Sequence, residues 1–141
     1  MILLLFCKNW LIDMKKTLGI KHIALKVKNF KDCLNFYTNL LEMKIDWQPD
    51  DENAYLTNGK DNLALHLDET LDLTSKDNRL DHFGIMLKDK GDVDDWFNFM
   101  SSEEITIYKK VQDHRDGSRS FYCYDPDLNI VQFLWHPYLN K

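Results

Sequence analysis

The stretch HIALKVK at residues 22–28 returns 60 residues later as HFGIMLK at residues 82–88. The apolar helical stripe that follows also repeats in register: Cys33, Phe36, Tyr37 and Leu40 return as Val93, Trp96, Phe97 and Met100. A repeat of this length indicates two copies of one supersecondary unit. Each copy opens with a strand that carries a histidine. Pairing of the copies about a pseudo-twofold axis would therefore bring two imidazoles toward one place.

The two halves of the chain also share the same order of predicted elements. Alternating apolar residues predict strands at 19–27, 43–47, 54–57 and 62–67, and again at 80–87, 105–111, 119–124 and 129–135. Apolar stripes with helical spacing predict helices over 30–41, with Asn29 as its N-cap, and over 92–100. Residues 68–79 are polar and predict a linker. The predicted order is thus βαβββ, twice.

This order predicts an α+β fold of two paired βαβββ modules, which form a curved mixed sheet around a concave site with the helices outside. We expect a single domain over residues 18–136, made of modules 18–68 and 80–136. Residues 1–17 are interpreted as an N-terminal extension. The concavity is the natural place for a small-molecule ligand.

Composition narrows the class of partner and the compartment. The 141 residues carry a net charge of −5, which argues against bulk nucleic-acid binding because that needs a basic face. The apolar run Met1–Phe6 is too short to span a bilayer, and it lacks the basic region and cleavage site of a signal peptide. The chain has three cysteines and no CxxC motif, so we expect reduced thiols in a cytoplasmic protein without membrane partners.

Four side chains fall on the predicted open faces of the strands, away from the helices: His22, His66, His82 and Gln132. Ala24 and Gly84 are small and leave space beside the histidines of the first strand in each module. Imidazole is the commonest metal ligand in proteins, and glutamine offers an uncharged carbonyl oxygen. The pattern therefore indicates a candidate metal site. It is equally typical of strand histidines that are hydrogen-bonded within the protein and bind no metal.

Other residues are candidates for contacts with a substrate. Arg115 and Arg119 flank a glycine loop and could hold a substrate anion, although a solvated loop is the alternative interpretation. Tyr55 and Phe121 could line an aromatic pocket, although aromatic residues in strands are more often part of the core.

Four segments together resemble the vicinal oxygen chelate superfamily: KHIALKV at 21–27, NFYTNLL at 35–41, DHFGI at 81–85 and YDPDLNIVQF at 124–133. That superfamily includes glyoxalase I, the bleomycin-resistance and fosfomycin-resistance proteins and the extradiol dioxygenases. The resemblance spans residues 18–136 and implies paired βαβββ modules, a homodimer and a divalent metal such as Fe, Zn, Ni or Mn. Carried over, the ligand positions are His22, His66, His82 and Gln132. The implied activity is lyase, isomerase or ring-opening dioxygenase chemistry on an oxygen-rich small molecule.

The chain departs from the family pattern at positions that matter for chemistry. Gln132 stands where the family usually has Glu, and His66 stands where glyoxalase I often has Glu. Glutamine cannot act as a general base, so glyoxalase I activity is not expected. An uncharged ligand set leaves the full +2 charge on the metal and favours anionic, bidentate substrates. The alternative is a metal-free small-molecule or drug-binding protein of the bleomycin-resistance type.

Overall fold

The computed structural model describes residues 20–75 and 80–139. The first module comprises β1 (His22–Val27), α1 (Phe30–Asn35), a π-helical segment (Phe36–Leu40), β2 (Lys44–Trp47), β3 (Asn53–Thr57) and β4 (Asn62–Leu67). The second comprises β5 (Phe83–Met86), α2 (Asp92–Ser102), β6 (Ile107–Asp113), β7 (Arg119–Tyr124) and β8 (Ile130–Trp135). The predicted βαβββ order is confirmed in both halves. The predicted extension 1–17 lies outside the described residues.

Each module forms a four-stranded mixed sheet, and the two sheets have equivalent strand orders. These orders are β1-β4-β3-β2 and β5-β8-β7-β6. In each sheet the first and last strands of the module pair in parallel, and the other neighbours pair antiparallel. The 60-residue sequence repeat is therefore a repeat of topology. No helix within 20–75 or 80–139 has the length and apolar character that a bilayer crossing requires.

The helices cover one face of each sheet, and a continuous core fills the space between them. Alternation explains which strand residues enter this core. Leu25 and Val27 are buried, whereas Ala24 and Lys26, which alternate with them along β1, face outward. The Tyr37 ring packs against Phe83 of the other module, with a centroid separation of 6.4 Å. The two modules thus share one core, and the opposite face of each sheet stays open.

The first helix differs from the predicted single helix over 30–41. α1 ends at Asn35 and continues as a π-helical segment, in which the Leu41 N–H donates to the Phe36 carbonyl at 3.3 Å. The apolar stripe predicts the buried face correctly, but it does not distinguish this wider turn from an α-helix. The N-cap also differs, because the Asn29 side chain makes no capping hydrogen bond.

The turn between β7 and β8 supplies the missing cap. The Asp127 carboxylate accepts hydrogen bonds from the backbone N–H of Lys28 and from both the backbone N–H and the side-chain amide of Asn29, the last two at 2.8 Å. Asp125 accepts the Tyr37 hydroxyl at 2.7 Å, and desolvation by burial raises the pKa of this aspartate. The second module therefore holds the start and the middle of the first module's helical segment.

The described cysteines are buried and unpaired. Cys33 and Cys123 lie in the core, where desolvation raises the pKa of both thiols, that of Cys123 to about 12. A thiol protonated at neutral pH is a poor nucleophile and a poor metal ligand. Cys7 lies outside the described residues.

Candidate functional site

The open face of the second sheet brings His82 and Gln132 together through Tyr122. The His82 ring meets the Tyr122 ring edge-on, with 5.2 Å between centroids and an 89° interplanar angle. Tyr122 and Gln132 are paired across β7 and β8, and the Gln132 Nε2 donates to the Tyr122 hydroxyl at 2.9 Å. It also donates to the Ser120 Oγ at 3.0 Å, and that oxygen is hydrogen-bonded to His114 Nε2 at 2.7 Å. Two of the four predicted ligands therefore share one polar cluster.

The Gln132 carbonyl oxygen faces a glycine. Gly84 is the parallel partner of Gln132 across β5 and β8, and a Cβ at this glycine would stand 3.6 Å from Oε1. Because no side chain is present there, the oxygen stays accessible from the β5 side. Both N–H groups of the amide are occupied by hydroxyl oxygens, so the carbonyl oxygen is the atom available to a ligand or a metal.

A cavity of about 590 Å³ lies beside this cluster. It is lined by second-module residues: His114, Arg115, Asp116, Ser118, Tyr122, Gln132, Leu134 and His136. Arg115 is exposed at this cavity, where its guanidinium could hold a substrate anion as predicted. The volume suits a small organic molecule.

Three histidines have a hydrogen-bond partner at Nδ1, which favours the tautomer whose Nε2 can bind a metal. The Nδ1 atom lies 2.7 Å from Asn62 Oδ1 in His22, 2.6 Å from Asn53 Oδ1 in His66, and 2.5 Å from Asp81 Oδ1 in His82. These oxygens only accept hydrogen bonds, so Nδ1 carries the proton in each ring. The neutral imidazole then presents an unprotonated Nε2. Such an oxygen partner on the far nitrogen is typical of metal-binding histidines.

The other two described histidines are arranged differently. His114 uses its Nε2 on Ser120. His136 accepts the Tyr138 backbone N–H at Nδ1, at 3.2 Å, so its proton sits on Nε2, which faces Asp116 Oδ2 at 3.6 Å. Neither ring presents a free Nε2 lone pair. The three histidines with a partner at Nδ1 are thus the three that strand alternation places on the open faces, and the other two are arranged differently.

The strand register separates His66 from His22. The β1–β4 pairing sets His22 against Asn62 and Lys26 against His66, so the two histidines lie four residues apart along the sheet, roughly 13 Å. The counterpart of Gln132 in the first module is Ala64, because Ala24 pairs with Ala64 as Gly84 pairs with Gln132. This geometry argues against His66 as a ligand of the same ion as His22.

His66 belongs to an aromatic row on the open face of the first sheet. Its ring meets the Tyr55 ring edge-on at 5.7 Å, and Tyr55 stacks on Trp47 at 5.0 Å. Tyr55 is half-buried, and Trp47 is exposed on the edge strand β2. The predicted substrate contact Tyr55 therefore lies on an open face, where a planar molecule could stack.

The two remaining predicted substrate contacts lie elsewhere. Phe121 is fully buried and stacks on Phe133 at 4.8 Å in the core, which argues against a ligand contact. The Arg119 guanidinium is engaged by Asp94 at 2.8 Å and by Asp113 at 2.9 Å. Side-chain alternation explains the placement of Phe121, because odd-numbered residues of β7 face the helix and even-numbered ones face the cavity.

The donor types of the predicted ligands His22, His82 and Gln132 suit a divalent transition metal. Within the described ranges, no three His, Cys, Asp or Glu side chains form a group that could hold a metal ion. A site made from the predicted ligands therefore depends on the Gln132 oxygen, which is not one of these residue types. Two imidazole nitrogens with one neutral oxygen suit Zn²⁺, Fe²⁺ or Ni²⁺ better than hard ions, which prefer carboxylates.

Sequence reasoning missed the groups that orient the candidate ligands. Ser120 is fully buried and supports Gln132, and Asn62 and Asp81 set the tautomers of His22 and His82. Alternation in residues 119–124 places Ser120 on the cavity face and could have identified it. The contact between His22 and Asn62 depends on the β1–β4 register, for which the sequence carries no local signal.

Comparison with known proteins places the chain in a family. The chain is 24% identical over 111 residues to the metallothiol transferase FosB of Staphylococcus saprophyticus, covering 77% of this chain and 71% of that protein. Its fold matches a lactoylglutathione lyase from Agrobacterium tumefaciens with a TM-score of 0.71 and 21% identity, over 86% of this chain and 96% of that one. A glyoxalase/bleomycin resistance protein/dioxygenase from Alicyclobacillus acidocaldarius matches with a TM-score of 0.68 and 22% identity, over 88% and 96% of the two chains. The sequence profile of the Glyoxalase/Bleomycin resistance protein/Dioxygenase superfamily matches residues 19–133, and the chain belongs to that superfamily.

Proposed function

We propose that the chain is a small metal-dependent enzyme that acts on an oxygen-rich small molecule, with His22, His82 and Gln132 as the metal ligands. The observation that carries the proposal is the hydrogen bonding of Nδ1 in His22 and His82, which leaves Nε2 of each ring unprotonated. The carbonyl oxygen of Gln132, which faces Gly84 and has no side chain against it there, is proposed as a third donor beside His82. His66 is proposed to contact the bound small molecule on the open face of the first sheet, and not the metal.

The charge of the proposed site defines the substrate. An uncharged ligand set leaves the metal with its full +2 charge, so a substrate with two anionic or polarised vicinal oxygens complements it. Arg115 at the cavity adds a second positive group for an anionic substituent. When bound, the metal supplies Lewis-acid polarisation of substrate oxygens. The proposed chemistry is of the lyase, isomerase or ring-opening dioxygenase type.

The identity of residue 132 and the names of the relatives narrow the type of reaction that we propose. Gln132 carries no charge and cannot move a proton as a general base, which disfavours lactoylglutathione lyase activity despite the fold match. The relative named as a metallothiol transferase supports metal dependence and a transfer reaction. With no carboxylate among the proposed ligands, acid–base assistance must come from the substrate, solvent or His114 at the cavity.

We also propose that the protein is a homodimer. β2 is an edge strand whose residues are all exposed, with Ile45 and Trp47 among them. Exposed apolar edge strands are usually covered by another element or another chain. The cavity beside Gln132 is lined by second-module residues, whereas His22 lies on the first sheet. The two sheets that form one site belong either to one chain or to two, and mixing of His22→Ala and His82→Ala protein distinguishes the two arrangements.

The alternative function is a metal-free small-molecule or drug-binding protein of the bleomycin-resistance type. The observation that favours it is the aromatic row of Trp47, Tyr55 and His66 on an open face. Stacked aromatic rings bind planar molecules without a metal. In this alternative the histidine hydrogen bonds only satisfy polar atoms of strand side chains and prepare no metal site.

Metal titration tests the proposal. We expect the protein, purified without a histidine tag, to bind Zn²⁺, Ni²⁺ or Fe²⁺ at about one site per chain by calorimetry. His22→Ala and His82→Ala should each weaken binding by at least about 100-fold, because each removes a ligand. The matched control is His136→Ala, whose ring has no free Nε2 lone pair and should leave affinity unchanged. Equal losses in all three variants would argue against the assigned ligands.

A chromogenic catechol separates the enzyme from the binding protein. The metal-loaded protein should bind it as a bidentate oxygen ligand, with a shift in its absorption spectrum, and the metal-free protein should not. Binding of equal strength without metal, abolished by Trp47→Ala, would support the drug-binding alternative instead.

A further inference from the structure

We propose that Ser120 and Tyr122 are positioning residues that lock the Gln132 side-chain amide in one of its two orientations, with the carbonyl oxygen toward the site. This inference rests on the proposed function for its purpose, but the lock itself is a property of the metal-free chain. It identifies a device by which an uncharged side chain serves as a dependable oxygen ligand.

The need for a lock follows from the chemistry of the amide. Rotation of the terminal amide of Gln132 by 180° exchanges a metal-binding oxygen for an NH₂ group that has no free lone pair to offer. A carboxylate has no such problem, because its two oxygens are equivalent. A glutamine at this position is therefore an effective ligand only if its surroundings choose the orientation.

The surroundings of Gln132 make this choice at both N–H groups. Nε2 lies 2.9 Å from the Tyr122 hydroxyl and 3.0 Å from the Ser120 Oγ, so each amide hydrogen has an acceptor. The three side chains are buried, which makes a lost hydrogen bond costly. On the opposite side, Gly84 leaves Oε1 with free space instead of a side chain.

The two hydroxyls are themselves held in place. Ser120 Oγ is hydrogen-bonded to His114 Nε2 at 2.7 Å, and the Lys109 ammonium lies 5.3 Å from the centre of the Tyr122 ring. The His82 ring also contacts the Tyr122 ring edge-on. Tyr122 therefore links both second-module ligands, His82 by ring contact and Gln132 by hydrogen bond, and we expect it to set their relative position.

The first test uses the metal-free protein. Nitrogen-15 NMR should find the Gln132 side-chain amide protected from exchange with water at least about tenfold relative to the exposed Gln48 and Gln112, with assignment by loss of the signal in Gln132→Glu. Tyr122→Phe should remove much of this protection. An amide that exchanges as fast as the two reference glutamines would overturn the proposal, whatever the protein binds.

The second test asks whether the lock acts on the ligand oxygen. Affinity for Ni²⁺ should fall about tenfold in Tyr122→Phe, and about threefold or less when the same change is made in Gln132→Glu, since a carboxylate has no orientation to choose. Equal losses in both backgrounds would mean that Tyr122 acts only through general structure, and would overturn its positioning role. Tyr124→Phe, on the same face of β7 and in ring contact with Tyr108, is the matched control.

Two variants keep the result interpretable. Ser120→Ala should resemble Tyr122→Phe in both measurements, and a thermal melt identifies any variant that fails to fold. Gly84→Ala should fold, because its methyl group would make an ordinary contact at 3.6 Å, but it should reduce Ni²⁺ affinity by crowding Oε1. A protected Gln132 amide in a protein that binds no metal would leave the lock standing and reject the proposed function.

Discussion

At the scale of single residues, Asp127 accepts an unusual number of hydrogen bonds for an aspartate in a turn. It is buried, and its carboxylate satisfies two backbone N–H groups and one side-chain amide at the start of α1, about a hundred residues away in sequence. Asp127→Ala should lower the free energy of unfolding by about 2–4 kcal/mol, because three donors at the start of α1 lose a charged acceptor. Urea denaturation followed by tryptophan fluorescence measures this.

The control for Asp127 is an aspartate without such a role. Asp51→Ala removes an exposed carboxylate and should change the free energy of unfolding by no more than about 0.5 kcal/mol. A loss below about 1 kcal/mol in Asp127→Ala would show that the cap between modules contributes little. The sequence alone predicts Asn29 as the cap, since a local pattern contains no information about a carboxylate in the other module.

At the scale of elements, Arg119 joins β7 to α2 and β6. Its hydrogen bonds hold the pKa of Asp94 below the usual value of 3.8, and the pKa of Asp113 is lowered mainly by Lys90 and also by Arg119. Because the folded pKa values lie below the unfolded ones, this stabilisation is present above pH 3.8 and is lost as the pH falls through the folded values. Arg119→Met should therefore destabilise the protein modestly at neutral pH. The destabilisation should shrink once the pH falls below 3.8, as the two aspartates become protonated.

Arg115→Met is the matched control for this pH dependence. Arg115 is exposed at the cavity. The difference in free energy of unfolding between Arg115→Met and wild type should therefore be nearly independent of pH. Urea midpoints between about pH 3 and pH 7 measure both variants. A difference between Arg119→Met and wild type that grows toward acid pH would contradict the assigned ion pairs.

The helices and strands also show which structural features a local sequence pattern can predict. Strand alternation correctly assigned the open faces, because which side a residue faces depends only on its position in the strand. The order βαβββ and its repeat followed from periodicity for the same reason. The end of α1 at Asn35 and the distance between His22 and His66 did not, because hydrogen-bond pattern and strand register depend on residues distant in sequence.

At the scale of the whole molecule, the exposed edge strand β2 predicts self-association. We expect light scattering to give twice the chain mass at micromolar concentration. Trp47→Lys and Ile45→Lys should weaken the dimer by about tenfold or more, because a charge replaces an apolar anchor in a desolvated surface. Tyr138→Lys, at an exposed tyrosine that follows the second module, is the control. A wild-type monomer at high micromolar concentration would contradict the proposal.

Mixing variants decides how the sites are shared. His22→Ala and His82→Ala protein, each deficient in metal binding, can be combined under conditions that allow subunit exchange. If each site takes His22 from one chain and His82 from its partner, the mixed dimer has one intact site of two. Random exchange makes about half of the dimers mixed, so an equimolar mixture recovers about a quarter of the wild-type metal content. If each site lies within one chain, mixing restores nothing.

The most direct test of the account is the metal content of wild-type protein, purified without a histidine tag and measured by mass spectrometry after dialysis against Zn²⁺, Ni²⁺ or anaerobic Fe²⁺. We expect about one metal ion per chain for at least one of these ions, lost in His82→Ala and retained in His136→Ala. Protein that retains none of them, while its histidines keep their hydrogen bonds to Asn62 and Asp81, would contradict the metal-dependent enzyme and favour the metal-free binding protein.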